Sequence, residues 1–286
     1  MTTLEGFDPT PWLGRSRRIA ARLDAFPAAA LTAALDRSDP PGEGAPLPPF
    51  WHHLYAPEPV RAADTGPDGH PRLGLFLPEV PLPRRMWAGG RLHIQRLPRI
   101  GQSLVRTSTI RAITPKRGRS GSLVFVLLEH RFTDDAGELF VEEQDIVYRE
   151  PRPLAADAAP WRMPVPARAS RDWTPDEVLL FRYSALTYNG HRIHYDLAYA
   201  REVEGYPGLV VHGPLLATLM LDLLRDTWPE ARLVRFSFRA LRPLFAGRPL
   251  QVAVLAEGAR PERVTLVTTG DTGQLAMRGE AELAWP

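Results

Sequence analysis

The run Pro214–Arg225, PLLATLMLDLLR, limits what this chain can fold into more than any other stretch. Drawn as a helix it shows no clean polar face until Asp222, and a helix apolar on nearly all sides has to be enclosed by other elements. Its entry is Val211-His212-Gly213-Pro214. Helix N-termini carry unpaired backbone N–H groups and partial positive charge, which can stabilise a developing oxyanion. The segment before it is dense in groups able to do chemistry: Tyr188, Asn189, His191, Arg192, His194, Tyr195 and Asp196. A polar loop delivered onto the start of a buried helix is what an active site needs.

What encloses the helix is legible as period-two alternation. In the first half Arg91–Leu97, Ser103–Ile113, Ser122–Thr133 and Leu139–Tyr148 read as strands, with Leu123–Leu128 apolar enough to be buried on both faces. Asp134-Asp135-Ala136-Gly137 supplies a hairpin turn between the last two. Beyond the helix, strands return at Leu233–Leu241, Pro249–Ala256, Val264–Thr269 and Gln274–Trp285. The two sets match: Asp135-Ala136-Gly137-Glu138-Leu139 is answered by Asp271-Thr272-Gly273-Gln274-Leu275, and Pro98…Gly101 by Pro243…Gly247. The reading is a duplicated unit, a helix followed by an antiparallel sheet of four or five strands. Only the second copy has the full apolar helix. A sheet wrapped round one buried helix is the hot-dog arrangement, so the expected class is α+β with a double hot-dog fold. Residues 1–150 form the first unit, 151–172 a Pro/Ala-rich linker and 173–286 the second.

Arg15–Leu23 and Ala28–Leu35 read as short amphipathic helices, and Ser38–Pro49 as a breaker-rich loop. The proline-rich passage up to Gly90, carrying Phe76, Met86 and Trp87, reads as a segment packed across a surface. Thr174-Pro175-Asp176-Glu177 marks a helix start with Thr174 at the N-cap, Pro175 first and Glu177 completing a capping box.

Composition excludes several function classes. The absence of cysteine removes disulfides, thiolate catalysis and cysteine-ligated zinc, and fits a cytoplasmic protein. Met1–Thr10 lacks the basic start and apolar core of a signal peptide. The longest apolar run, Pro214–Leu221, is far below the ~20 residues of a membrane span. Net charge is only +2, yet no acidic residue lies between Glu79 and Glu129, where Arg84, Arg85, Arg91, Arg96, Arg99, Arg106, Arg111, Lys116, Arg117 and Arg119 all fall. Such a run suits an anionic partner: nucleotide phosphates, an acidic carrier protein or nucleic acid. Solvated strand faces and edge protection account for it equally well. No recognisable nucleic-acid motif accompanies it.

Asn189-Gly190-His191-Arg192-Ile193-His194, with Asp196 following and Val211-His212-Gly213 opening the helix, resembles the hydratase motif of MaoC-like (R)-specific enoyl-thioester hydratases. That motif runs Asp-x-Asn-Pro-x-His, then His-Gly. The form YNGHRIHYD is more similar to the branch of type 2 hydroxyacyl-thioester dehydratases and mesaconyl-C4-CoA or itaconyl-CoA hydratases. Phe50-Trp51-His52-His53, the stretch PLPRRMWAGG from Pro81 to Gly90, and Gln144-Asp145-Ile146-Val147-Tyr148 resemble the dehydratase-like N-terminal domain of that branch. The likeness therefore spans nearly the whole chain.

The resemblance implies reversible addition of water across the 2,3 double bond of a short acyl thioester. It implies a C5 dicarboxylyl-CoA or a 3-hydroxyacyl thioester as substrate, with CoA or acyl-carrier protein as its handle, and no cofactor or metal. His194 matches the family's catalytic histidine. A proton must move at Cα, and imidazole titrates near neutrality. Gly213 matches the glycine whose N–H can meet the enolate oxygen, and glycine lets substrate approach closely. Asn189 stands where the family usually has aspartate. An amide cannot take a proton at neutral pH, so its expected role is positioning, with Asp196 the nearest carboxylate if one is required. Tyr188, His191, Arg192, His212 and Trp87 complete the expected substrate-binding set, in a monomer or a homodimer.

Other readings stay open. His194 is either the proton carrier or a hydrogen-bonded loop histidine. His191, His194 and Asp196 carry metal-ligand donor types at an unspecific spacing. Arg192 pairs either with a substrate carboxylate or with Asp196. Trp51, His52 and His53 either cap an acyl pocket or form a packed aromatic corner. The rival functions are a hot-dog thioesterase, which needs a water-activating group beside the thioester carbonyl, and a non-catalytic acyl-CoA sensor.

Overall fold

The computed structural model describes residues 4–118, 121–151 and 159–286. The first half holds β1 (Ser16–Arg22), α1 (Ala25–Ala34), β2 (Arg84–Ile94), β3 (Ser103–Gly118), β4 (Gly121–Asp134) and β5 (Gly137–Arg149). The second holds β6 (Ala167–Trp173), α2 (Glu177–Thr187), α3 (Gly213–Thr227), β7 (Arg232–Ala240), β8 (Leu250–Leu255), β9 (Arg263–Gly270) and β10 (Leu275–Ala284). All these strands join one sheet in the order β1-β3-β4-β5-β2-β7-β10-β9-β8-β6. Each half thus repeats the same strand sequence from its outer edge to the seam, where β2 and β7 pair antiparallel from Gly89↔Arg239 to His93↔Arg235. The matching sequence motifs are the β4–β5 and β9–β10 hairpins, so the repeat in sequence is a repeat in topology.

α3 is the enclosed helix of the hot dog. Every residue from Leu215 to Leu224 is buried, and the helix rests on β6, β8, β9 and β10. Its core neighbours include Val252, Val254, Val264 and Leu266. Thr218 and Asp222 are the polar exceptions; burial raises the Asp222 pKa to about 6, against the pull of Arg225 at 3.3 Å.

Among the described residues the first half has no counterpart of α3. Irregular chain runs from Leu35 to Pro83, broken by two short turns, Trp51–Leu54, which buries Trp51 in the core, and Ala62–Asp64. Phe76, Val80 and Leu82 pack over Ile110, Val124, Val126 and Leu128, so this passage crosses a surface as its composition suggests. With no helix filling the concavity, its sheet face carries polar groups. Register aligns Arg17, Ser108, His130, Glu142 and Leu92 in one row across β1, β3, β4, β5 and β2.

The structure corrects several local expectations. Arg15–Leu23 contains strand β1, whose alternating exposure also mimics an amphipathic helix; pairing with β3 decides for the strand. β2 begins at Arg84, earlier than the alternation reveals. Leu123–Leu128 is fully buried on one face only. α2 is capped by Asp176, which accepts the Leu179 N–H at 2.8 Å, and not by Thr174. The linker ends early, because Ala167–Trp173 is an edge strand on β8; residues 152–158 lie outside the described residues. The basic run is largely neutralised in place. Arg84 pairs with Glu204, Arg85 with Asp68, Arg91 with Asp145, Arg96 with Asp134 and Arg111 with Glu129. Arg119 lies outside the described residues. Among the described residues no helix is long and apolar enough to cross a membrane.

Candidate active site

α2 ends where Tyr188 takes a left-handed conformation, φ 53°, and turns the chain into the polar loop. Asn189 closes an Asx turn, its Oδ1 accepting the His191 N–H at 3.0 Å. The chain then makes a single turn over Arg192–His194 and a short π-type turn over Tyr199–Val203 before entering α3.

His194 Nδ1 lies 2.7 Å from the Val210 carbonyl oxygen. A carbonyl only accepts, so Nδ1 carries the hydrogen and Nε2 keeps its lone pair. Burial lowers the His194 pKa to about 4, against the Val210 hydrogen bond, so the ring is neutral at pH 7. The His194 ring stacks on His212 with centroids 3.6 Å apart. His212, fully buried, is held by Ser184 Oγ at 2.8 Å from its Nε2. Among the described residues no backbone carbonyl accepts the Gly213 N–H, which leaves it at the positive end of α3.

His194 and Gly213 line a cavity of about 520 Å³ whose walls include Met86, Ile193, Val211 and Leu216. A second cavity of about 650 Å³ lies over the polar face of the first half, lined by His52, His53, Arg106 and Glu142. His70, Trp87, Gln144, Asn189 and Pro214 line both, so the two spaces meet at Asn189.

The expected site residues divide accordingly. Asn189 and Trp87 face both cavities, and His191, His194 and Gly213 the first. Tyr188 stands at the rim of the second, 58% exposed. His212 lines neither cavity; it backs His194. Arg192 also lines neither. Its guanidinium bonds Asp196 at 2.7 Å and the Pro67 carbonyl at 3.0 Å, and lies over the Tyr199 ring. Asp196 is spent on Arg192 and on the Tyr199 N–H at 2.9 Å, which takes it out of the running as the site's carboxylate.

With that geometry in place, the sequence matches the hydroxyacyl-thioester dehydratase type 2 family over residues 50–246. The chain belongs to that family. Mesaconyl-C(4)-CoA hydratase of Chloroflexus aurantiacus is 42% identical over 95% of this chain and 96% of its own length. The mitochondrial type 2 dehydratase of Schizosaccharomyces pombe is 29% identical over 74% and 79%. A MaoC-like dehydratase structure from Phytophthora capsici superposes with TM-score 0.72 over 96% of both chains at 15% identity, which carries the fold.

In this type 2 dehydratase the residues that sequence reasoning passed over come from the first half. Thr65 and Pro71 bridge to close a tight loop, and the Gly66 N–H bonds the His70 carbonyl at 2.7 Å. That loop brings Asp68 and His70 to the site. The available signal was the tripeptide Asp68-Gly69-His70, an echo of Asn189-Gly190-His191. Among the described residues two groups offer donor atoms within 4.8 Å of one another, as a cation would require: Asp68, His70 and His191, and His52, His53 and Glu142. Each carboxylate already has a positive or polarisable partner, Arg85 at 3.1 Å from Asp68 and the two histidines at Glu142.

Proposed function

We propose that this protein hydrates the double bond of a short 2-enoyl thioester and catalyses the reverse dehydration, with a C5 dicarboxylyl-CoA of the mesaconyl-C4-CoA kind as substrate. The observation that carries the proposal is the His194 Nε2 lone pair, which shares one cavity with the Gly213 N–H. Water attacks Cβ with one hydrogen directed at His194 Nε2, and the proton the water sheds ends on Cα. The π pair moves towards Cα and the thioester oxygen, whose growing charge suits the N-terminus of α3. Asn189 has its carbonyl oxygen occupied by the His191 N–H, so its NH₂ is left to hold an oxygen. The resemblance and the name of the 42% identical relative support the substrate. Both halves of the site lie on one chain, which suits a functional monomer or a homodimer of such chains; the cytoplasm, which a cysteine-free chain fits, is our proposed compartment. The halves, residues 1–150 and 173–286, are proposed as copies of one unit.

Loss of enoyl-thioester absorbance with mesaconyl-C4-CoA and crotonyl-CoA tests this. Wild type is expected to hydrate the first faster, and His194→Ala to lose about 100-fold or more in kcat. Release of free thiol without hydration would replace the proposal with a thioesterase.

A further inference from the structure

Two tripeptides face each other across the seam. Asp68-Gly69-His70 lies between α1 and β2, and Asn189-Gly190-His191 between α2 and β7. They are built alike. Asp68 Oδ1 accepts the His70 N–H at 3.1 Å, as Asn189 Oδ1 accepts the His191 N–H at 3.0 Å. Their glycines meet backbone to backbone, so a Cβ on either would collide with the carbonyl oxygen of the other. Their imidazoles pack with centroids 4.2 Å apart. Arg192 fastens the contact, its N–H bonding the Asp68 carbonyl at 2.9 Å and its guanidinium the Pro67 carbonyl at 3.0 Å.

The turns differ in one group: the first has a carboxylate where the second has an amide. Asp68 Oδ2 lies 3.0 Å from His70 Nδ1 and 3.1 Å from Arg85 Nη2. Against the desolvation of its setting, His70 and Arg85 hold Asp68 well below the usual carboxylate range. An ionised carboxylate only accepts, so His70 Nδ1 carries the hydrogen and Nε2 presents a lone pair. Burial lowers the His70 pKa, against Asp68, so the ring rests neutral. It lines both cavities beside Asn189.

Resting on the hydratase reading, we propose that His70 is a catalytic acid/base group and Asp68 the positioning residue that sets its tautomer. As the water oxygen bonds Cβ, one water proton passes to His70 Nε2 while the C=C pair moves onto Cα and the thioester oxygen. The same proton then passes from Nε2 to Cα. The product gains a hydroxyl at Cβ and a hydrogen at Cα, and His70 returns to neutral. His194 accepts the other hydrogen of the water in a hydrogen bond. Charge decides this division. An imidazolium at His70 has a carboxylate against its Nδ1–H, whereas one at His194 has only a carbonyl. The acid missing at position 189 is supplied by the equivalent turn of the other half.

The charged and titratable groups around His70 are Asp68 and Arg85 from the first half and His191 and His194 from the second. His70→Gln, Asp68→Asn and Asp68→Glu are assayed on mesaconyl-C4-CoA across the pH range. His70→Gln is expected to lose about 100-fold or more in kcat with KM changed less than about threefold. Asp68→Asn is expected to lose kcat comparably, because its amide donates to Nδ1 and moves the ring hydrogen onto Nε2. It should also shift the acid limb of the kcat profile, and Asp68→Glu should recover part of both. The inference is overturned if His70→Gln keeps kcat within about threefold, or if the losses appear in KM with an unshifted profile. It is also overturned if a chelator abolishes wild-type activity and a divalent cation restores it, since the cluster would then be a metal centre. Failure of the hydratase reading itself shows separately, as wild type that consumes no enoyl thioester.

Discussion

The two halves of this protein share a strand order and differ in what their sheets wrap. In the second half α3 fills the concave face, and apart from Thr218 and Asp222 its buried stretch Leu215–Leu224 is apolar. In the first no described helix fills that face; Phe76, Val80 and Leu82 pack over part of it and the rest borders a polar chamber. There His130 Nδ1 meets Ser108 Oγ at 2.7 Å, and Glu142 lies between His52 and His53, 3.1 Å and 3.0 Å from their Nε2 atoms. The His53 contact is off the hydrogen-bond direction, and Arg17 Nε and Arg106 Nε are buried without partners. One scaffold therefore serves as core in one copy and as container in the other. Removing a central helix exposes backbone-anchored side chains to a shared interior space, and polar residues become tolerable there once paired or wetted.

The comparison can be broken at the helix. Leu219→Ala, in the middle of α3, is expected to cost about 2–5 kcal/mol of unfolding free energy in urea titrations. A loss under about 1 kcal/mol would mean that α3 is not the keystone of the second half. The chamber is tested with acid. His52 and His130 are lowered from 6.5 to about 4, chiefly by burial, and unfolding restores their ordinary values. Between those limits the unfolded chain binds more protons, so stability rises with pH and is lost as pH falls from about 6.5 towards about 4. Each histidine contributes up to about 1.4 kcal/mol per pH unit, and His70, His191, His194 and His212, all lowered chiefly by burial, add to the fall. Urea midpoints that fall on acidification, with a shallower fall in His130→Gln, sharpen the contrast; a flat midpoint removes it. The smallest effect lies at the corresponding first helices. Asp176→Ala should cost about 1 kcal/mol through the lost cap, and Asp24→Ala clearly less, since Asp24 makes no side-chain cap bond.

The fold was legible because its defining features are local. The all-round apolarity of Pro214–Arg225 demanded enclosure, and alternation located eight of the strands, missing the edge strands β1 and β6. Those edges are short and charged, so their period competes with helix and linker readings. Half of the candidate site was also legible, because Asn189, His191 and His194 sit within one loop. The other half was not. Asp68 and His70 reach it only through the β2–β7 pairing, and nothing local to a proline-rich passage says which loop will dock on which. The basic run misleads for the same reason: Arg91 is neutralised by Asp145 and Glu143, its neighbours across a strand and not along the chain.

The β2–β7 seam makes one continuous sheet from two halves of like strand order, and it frees the centre from symmetry. Two separate identical subunits meeting at such a seam would present the same tripeptide from both sides, two acids or two amides, and any substitution would strike twice. Fusion in one reading frame lifts that constraint. Aspartate at 68 and asparagine at 189 can coexist, so that in the roles proposed above one side handles a proton and the other holds oxygen. The molecule is in effect a heterodimer whose partners cannot dissociate or be made in unequal amounts.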